Sequence, residues 1–124
     1  MTDFFTDEEK TCHCGCGLNL VDQNPDFLKA LNSARELYGL PMDATCMTRC
    51  PAHNAEIGGA AQSAHMDGRA ADIAVHDPGE RMHMIRCFIA AGFHRIEVSA
   101  VHIHVDAKRG ARDVFLLKTG EGIV

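Results

Sequence analysis

Val101-His102-Ile103-His104-Val105-Asp106 alternates apolar and polar residues over its whole length. Successive side chains of a β-strand point to opposite faces, so this alternation predicts a strand with one buried and one polar face. The polar face would carry His102, His104 and Asp106, while Val101, Ile103 and Val105 would point into the core. An imidazole-rich face on an otherwise apolar strand is unusual, and it suggests a metal site.

A second polar stretch, Ser63-Ala-His65-Met-Asp-Gly68-Arg-Ala-Ala-Asp72-Ile73, adds another imidazole and a carboxylate. Gly68 separates His65 from Asp72, and a loop that ends in a strand can bring both side chains to one point. Two imidazoles and one carboxylate are a standard ligand set for catalytic zinc, with water in the fourth position. Zinc lowers the pKa of that water to about 7, which makes it a nucleophile for amide hydrolysis. The simpler alternative is a set of solvated strand histidines with a capping aspartate.

Hydrophobic periodicity predicts two longer helices, each with one apolar face. The first begins at Asn24 and ends at Gly39, and the second is capped by Asp77 with Glu80 as its capping-box partner. The predicted apolar faces comprise Phe27, Leu28, Leu31, Ala34 and Leu37 in the first helix, and Met82, Ile85, Phe88 and Ile89 in the second.

Short strands are predicted at residues 45–48, 68–75, 93–98, 101–106 and 114–117, with a short helix at 51–57. A tight turn at Ser99 and Ala100 would join the third and fourth strands and place Glu97 opposite His102. Residues 1–23 are predicted to be irregular. Helices packed at one side of a mainly antiparallel sheet make an α+β fold, and residues 1–124 would form a single domain.

Composition excludes several kinds of protein. The 124 residues carry a net charge of −5 and are 46% hydrophobic, so the chain can fold around a core. It shows no basic stripe of the kind that nucleic-acid binders use. No apolar run approaches the roughly 20 residues of a membrane span, and residues 1–10 lack the basic end and apolar centre of a secretory signal. We therefore expect no nucleic-acid partner, no membrane span, synthesis in the cytoplasm and a monomer.

The cysteines allow more than one interpretation. Cys12-His-Cys14-Gly-Cys16 is dense enough to suggest a metal, and Cys46 and Cys50 would supply the distant second pair that a zinc site needs. Buried free thiols or local disulfides are the alternative that the sequence favours, because cysteine is a frequent core residue. No catalytic pair of cysteine and histidine is indicated.

These motifs together resemble the zinc D-alanyl-D-alanine carboxypeptidases and related peptidoglycan endopeptidases, whose fold the Hedgehog signalling domain shares. The first zinc motif is matched position by position at Ser63, His65, Gly68, Ala70 and Asp72, and the second zinc histidine is matched at His104. The resemblance extends over residues 14–106 and includes 14–17 and 49–54. It implies zinc as the cofactor, His65, Asp72 and His104 as its ligands, and a cell-wall peptide as the substrate.

The resemblance also implies roles around the metal. Arg49 occupies the place of the family's substrate-binding arginine, and Ser63 either contacts the substrate or the metal shell or caps its own loop. Many relatives have an acidic residue three positions before the last zinc histidine, where this chain has Val101. Two candidates remain for moving the proton: His102, in the His-x-His arrangement of some carboxypeptidases and of Hedgehog, and Glu97 across the predicted hairpin.

The sequence therefore predicts a zinc metallopeptidase that hydrolyses a peptide bond in peptidoglycan, as a D-Ala-D-Ala carboxypeptidase or an L,D- or D,D-endopeptidase. A non-catalytic zinc-binding module of the same fold is the alternative, because Val101 replaces the usual acid. Asp106 either orients a histidine or ends the strand. Phage and prophage lysins reach the cell wall without a signal peptide of their own. We expect this enzyme to be delivered in the same way.

Overall fold

A computed structural model describes residues 2–118. In chain order the helices are α1 (Asp7–Lys10), α2 (Pro25–Tyr38), α3 (Pro51–Glu56) and α4 (Pro78–Ala90), with short 3-10 helices at Val21–Gln23 and Ala64–Asp67. The strands are β1 (Ala44–Cys46), β2 (Ala70–Ala74), β3 (Arg95–Val98), β4 (His102–Asp106) and β5 (Val114–Leu117). No helix within residues 2–118 is long and apolar enough to cross a membrane.

The five strands form one sheet in the order β1-β2-β4-β3-β5. Neighbours are antiparallel except for β3 and β5, which run parallel. The predicted α+β class with a mainly antiparallel sheet is confirmed. The strands predicted at 45–48, 68–75 and 93–98 are shorter or shifted, which is the usual uncertainty of element ends.

One face of the sheet is buried, as the alternation predicts. It consists of Ala71 and Ile73 of β2, Ile96 and Val98 of β3, and Ile103 and Val105 of β4, each at most 2% exposed. Helices α2 and α4 contribute Phe27, Leu31 and Phe88 to the same core. The opposite face of these strands is consequently left to polar side chains.

Both long helices are present, but parts of their predicted apolar faces are wrong. Leu37 is exposed and Tyr38 is buried, because the buried stripe of α2 continues from Ala34 by four residues. Met82 and Ile89, seven residues apart on the outer side of α4, are also exposed. Phe88 is buried as predicted, and Met84 and Cys87 fill the core in place of Met82 and Ile89.

The two predicted caps differ in outcome. Asp77 accepts a hydrogen bond from the amide of Glu80 at 2.8 Å, as expected for the start of α4. Asn24 occupies the cap position of α2 without capping it. Its side-chain amide donates to the carbonyl oxygens of Leu20 and Asp67 and so joins the N-terminal segment to the chain before β2.

The prediction that residues 1–23 are irregular is wrong in two places, since they contain α1 and the 3-10 helix Val21–Gln23. Thr6 and Glu9 form a capping box at the start of α1, a pattern visible in the sequence. Lys10 is buried, and its ammonium group lies between the carboxylates of Asp3 and Asp22. These contacts tie the segment to the rest of the fold.

The turn between β3 and β4 is displaced by one residue from its predicted position. The amide of Ser99 donates to the carbonyl of His102, and the Ser99 hydroxyl accepts from the amides of Val101 and His102. Ala100 and Val101 therefore form the tip, and Val101, predicted in the core, is 61% exposed. A serine that bonds to nearby backbone stabilises a turn in this way.

Gly68 sets the direction in which the chain enters β2. Its φ is +71°, and a Cβ at this position would lie 2.5 Å from the backbone of Leu20. We expect Gly68→Ala to lower the free energy of unfolding by about 2–4 kcal/mol, through the left-handed conformation and the close contact together.

Urea denaturation of matched variants tests this expectation. Gly58 has a similar φ of +72° but open space around it, so Gly58→Ala measures the conformational part alone. That control should lose about 1–2 kcal/mol. Equal losses in the two variants would show that the contact with Leu20 contributes nothing.

Candidate metal centre

A row of side chains crosses the polar face of the sheet. Cys46 of β1 pairs with Asp72 of β2, Asp72 pairs with His104 of β4, and His104 pairs with Glu97 of β3. Directly opposed residues of neighbouring strands project from the same face and lie within contact distance. The sheet therefore brings two of the predicted ligands, Asp72 and His104, together by register alone.

His65 reaches the same point from the 3-10 helix that precedes β2. Its Nδ1 lies 2.7 Å from the carbonyl oxygen of Met47, and its Nε2 lies 3.4 Å from Oδ1 of Asp72. A carbonyl only accepts hydrogen bonds, so Nδ1 is protonated and donates a hydrogen bond to the Met47 carbonyl. Nε2 is the nitrogen that faces the carboxylate.

His104 completes the set from the opposite side. Its Nδ1 lies 2.8 Å from Oδ1 of Asp72, and its Nε2 lies 2.8 Å from Oδ2 of Asp106. The His65 and His104 ring centres are 5.2 Å apart. One nitrogen of each imidazole thus faces the same oxygen of Asp72, while the remaining ring nitrogens are held by a carbonyl and a second carboxylate. This donor set fits zinc, and the outer contacts are those that orient ligating histidines.

Charges are strongly coupled in this cluster. Burial opposes a charge on His65, but hydrogen bonds and the charges of Asp72 and Cys46 outweigh it and raise the pKa of His65 to about 10. Burial likewise opposes ionisation of Asp72, while hydrogen bonds from His104 and His65 hold its pKa well below the usual range. The Asp72 carboxylate thus stabilises the doubly protonated, positively charged form of His65 in the metal-free protein. A metal must displace the proton on Nε2, so its affinity should fall as the pH falls.

Cys46 is a neighbour that the sequence did not indicate. Its sulfur lies 3.6 Å from Nδ1 of His65, and Cys46, His65 and Asp72 are close enough together to hold an ion. The sequence paired Cys46 with Cys50, but Cys50 contacts Cys14 instead. The two cysteines therefore belong to different clusters.

Arg49 lies beside this cluster. Its Nη1 donates to Oδ1 of Asn54 at 3.0 Å and its Nη2 to the sulfur of Cys46 at 3.4 Å. Nε is buried and has no hydrogen-bond partner within residues 2–118. Gly59 leaves the space for this arrangement, because a Cβ there would overlap the side chain of Asn54. The guanidinium group is thus held in a fixed orientation by the protein.

The two predicted proton carriers line the cleft, but not as an opposed pair. Oε2 of Glu97 lies 4.0 Å from Nε2 of His104, and its Oε1 lies 3.1 Å from the ammonium of Lys118. Nδ1 of His102 lies 3.3 Å from the hydroxyl of Ser99. The predicted register with Glu97 opposite His102 is wrong, because the displaced turn sets Glu97 against His104.

Ser63 caps its loop, since its hydroxyl accepts from the amide of His65 at 3.2 Å. The cleft around the cluster has a volume of about 340 Å³. Its lining includes the three predicted metal ligands, Arg49, Ser63, Glu97 and His102, and also the basic side chains Arg95, Lys108 and Lys118. All seven residues proposed from the sequence therefore line one cleft.

The family model described as Peptidase M15 matches residues 3–106. The chain belongs to the Peptidase M15 family. A comparison with curated proteins finds no match. M15 peptidases depend on zinc, and this M15 chain has side chains that can hold a metal ion. The family and the donor set together support a metallopeptidase.

Several groups that shape the site of this M15 peptidase carried no signal in the sequence. The Met47 carbonyl is a main-chain group whose partner depends on tertiary structure. Asn54 lies in the stretch that resembles the family, but the sequence predicted no role for its side chain. Lys118 is far from both motifs along the chain, and only the parallel pairing of β5 with β3 brings it to Glu97.

Asp106 orients His104 and is itself bound by Arg95, whose Nε lies 2.6 Å from its Oδ1. Burial would raise the pKa of Asp106, but the bonds from His104, the Lys108 amide and Arg95 lower it to about 2. We expect Asp106→Asn to weaken zinc binding by about 10–100-fold, because the ring of His104 loses its ionised acceptor.

Competition with a chromophoric chelator measures this affinity. Asp113→Asn is the matched control, because Asp113 is exposed and pairs only with His94 in the described residues. An unchanged affinity in Asp106→Asn would mean that the carboxylate does not orient a ligand.

Proposed function

We propose that this chain is a zinc peptidase that hydrolyses a peptide bond in bacterial peptidoglycan, with zinc held by His65, Asp72 and His104. The observation that carries the proposal is that His65 Nε2 and His104 Nδ1 both face Oδ1 of Asp72 at an open cleft. Bound zinc would polarise the scissile carbonyl and lower the pKa of a water molecule.

Arg49 is proposed to bind the substrate next to the bond that is cleaved. A guanidinium group recognises a carboxylate or a polarised carbonyl through donors in a fixed plane. The contacts with Asn54 and Cys46 hold that plane, and the side chain of Arg49 lines the cleft. The group is thus preorganised to stabilise negative charge that develops on the carbonyl oxygen.

His102 and Glu97 are proposed to move the proton. Both lie on the face of the sheet that carries the ligands, within the same cleft. An imidazole or a carboxylate there can take a proton from the attacking water and return it to the leaving amine. His102 is the primary candidate, because one oxygen of Glu97 is engaged by Lys118.

The substrate class follows from the family resemblance and is supported by the charge of the cleft. Its basic lining residues are Arg49, Arg95, Lys108 and Lys118, of which Arg95 is paired with Asp106 and Lys118 with Glu97. Arg49 and Lys108 have no ion pair in the described residues, and such basic side chains in a cleft attract anionic ligands. A wall peptide with free carboxylates fits this distribution, and an endopeptidase or a carboxypeptidase would each use it.

A non-catalytic zinc module is the second candidate. Val101, at the position where many relatives have an acid, lies exposed at the tip of a turn, and the ion pair with Lys118 restrains Glu97. Such a protein would bind zinc in the same place and leave the wall intact.

Digestion of purified peptidoglycan distinguishes the two. Wild-type protein is incubated with wall material, zinc is measured in the same sample, and soluble products are identified by mass spectrometry. We expect products that disappear with a chelator and return with added zinc. Free D-alanine would identify a carboxypeptidase and larger fragments an endopeptidase. Stoichiometric zinc with no product would support the module.

A further inference from the structure

Four cysteines form a second cluster, and none of them lines the cleft of the proposed active site. Cys12, Cys14 and Cys16 come from the N-terminal run, and Cys50 immediately precedes α3. Their sulfur atoms all lie within 4.8 Å of one another. None of these cysteines forms a disulfide in the described part of the chain. The close approach of four thiols that form no disulfide bonds has to be explained.

The sulfur spacing is that of a metal thiolate site. Zinc–sulfur bonds of about 2.3 Å in a tetrahedron place the sulfur atoms about 3.8 Å apart. The distance from Cys12 to Cys14 is 3.4 Å and that from Cys14 to Cys50 is 3.7 Å. A disulfide requires about 2.05 Å between sulfur atoms. The cluster is therefore arranged around a shared centre and not in bonded pairs.

The backbone of the run is shaped to present its sulfur atoms inward. Gly15 and Gly17 have φ values of +90° and +82°, which glycine adopts without strain. The amide of Cys12 donates to the carbonyl of Leu18 at 2.8 Å and closes the loop between them. The resulting loop carries all three sulfur atoms on a short length of chain.

Backbone amides also point at the sulfur atoms. The amide of Cys50 donates to the sulfur of Cys12, and the amide of His53 donates to that of Cys50, both at 3.4 Å. Four thiolates repel one another, and a bound cation offsets that repulsion.

We propose that Cys12, Cys14, Cys16 and Cys50 bind a second zinc ion, which has a structural role. Four thiolates leave no position for water, as in closed structural sites. The ion would fasten the N-terminal loop to the start of α3, directly beside Arg49. This site does not rest on the proposed peptidase function, because it shares no ligand with the active site, but a count of total zinc includes the active-site ion.

The metal content of the purified full chain tests the proposal. Wild-type protein should bind two zinc ions, Cys50→Ser should bind one, and His65→Ala should also bind one. Cys87→Ser is the matched control, because Cys87 lies on α4 outside both clusters, and it should keep two. A full complement of zinc in Cys50→Ser would overturn the proposal.

Cobalt substitution assigns the ligands. Tetrahedral cobalt thiolate has a strong sulfur-to-cobalt absorption band in the near ultraviolet, which should persist in His65→Ala and Cys46→Ser and vanish in Cys50→Ser. Loss of the band in Cys46→Ser would instead place the thiolate at the other cluster.

Wild-type protein provides a test that does not depend on a variant folding. Added zinc should protect Cys12, Cys14, Cys16 and Cys50 from alkylation, as located by peptide mapping, and leave Cys87 unaffected. Unprotected thiols, or a mass showing disulfides among these four, would contradict the proposal.

Discussion

A His65→Ala variant should lose its active-site zinc and its peptidase activity while remaining folded. His65 is the most buried of the three proposed ligands, with 4% of its surface exposed. Its Nδ1 is bonded to the Met47 carbonyl, and its Nε2 faces Asp72. We expect kcat/KM to fall by about 10³-fold or more, because a catalytic metal contributes several kcal/mol of transition-state stabilisation.

Asp72→Asn provides a second, nearly isosteric removal of the same site. It keeps the size of the side chain but deletes the negative charge that lies between His65 and His104. We expect weak zinc binding and a comparable loss of activity. His94→Ala is the matched control, because the side chain of His94 is exposed and does not line the cleft. Zinc-dependent activity that survives in His65→Ala would rule out this ligand set.

An Arg49→Ala variant should retain its zinc and lose about 10²–10³-fold in kcat/KM, because it lacks a donor aimed at developing negative charge. Arg49→Lys should recover little of that loss. Lysine offers a compact point charge and cannot make the contacts that Arg49 forms with Asn54 and Cys46. Steady-state kinetics on a defined wall peptide, with zinc measured in parallel, give both values.

Two further measurements separate substrate binding from a structural role of Arg49. A peptide with an amidated carboxylate should be a poor substrate for wild-type protein, yet it should respond less to Arg49→Ala than the acid does. Arg86→Lys, at an exposed position of α4, is the matched control and should leave the kinetics with both peptides unchanged. Full activity of Arg49→Ala would contradict a role of Arg49 in the reaction, whereas an equal loss on both peptides would mean that Arg49 acts on the carbonyl oxygen and not on a carboxylate.

The polar face of the sheet could be predicted because strand alternation is a local property. The pattern around His104 places its neighbours on one face whatever the rest of the chain does. The motif around His65 and Asp72 was predicted to form a loop that ends in a strand, and Gly68 has the left-handed conformation that this loop requires. Local patterns therefore located most of the cleft.

Register and long-range pairing were harder to predict, because they depend on contacts that the spacing of residues does not encode. The Ser99 hydroxyl selects a turn one residue further on than the pattern suggested, and this moved Glu97 from His102 to His104. The separation of Cys46 from Cys50 has a similar origin. Cys46 belongs to the sheet, opposite Asp72, while Cys50 begins a helix next to the N-terminal loop.

The most direct test of the central claim is digestion of purified peptidoglycan in water enriched in a heavy oxygen isotope, followed by mass spectrometry. Hydrolysis by zinc-loaded wild-type protein should place one heavy oxygen atom in each new carboxylate, and His65→Ala should give no labelled product. The absence of labelled fragments from wild-type protein that contains zinc would contradict a hydrolytic role for this site.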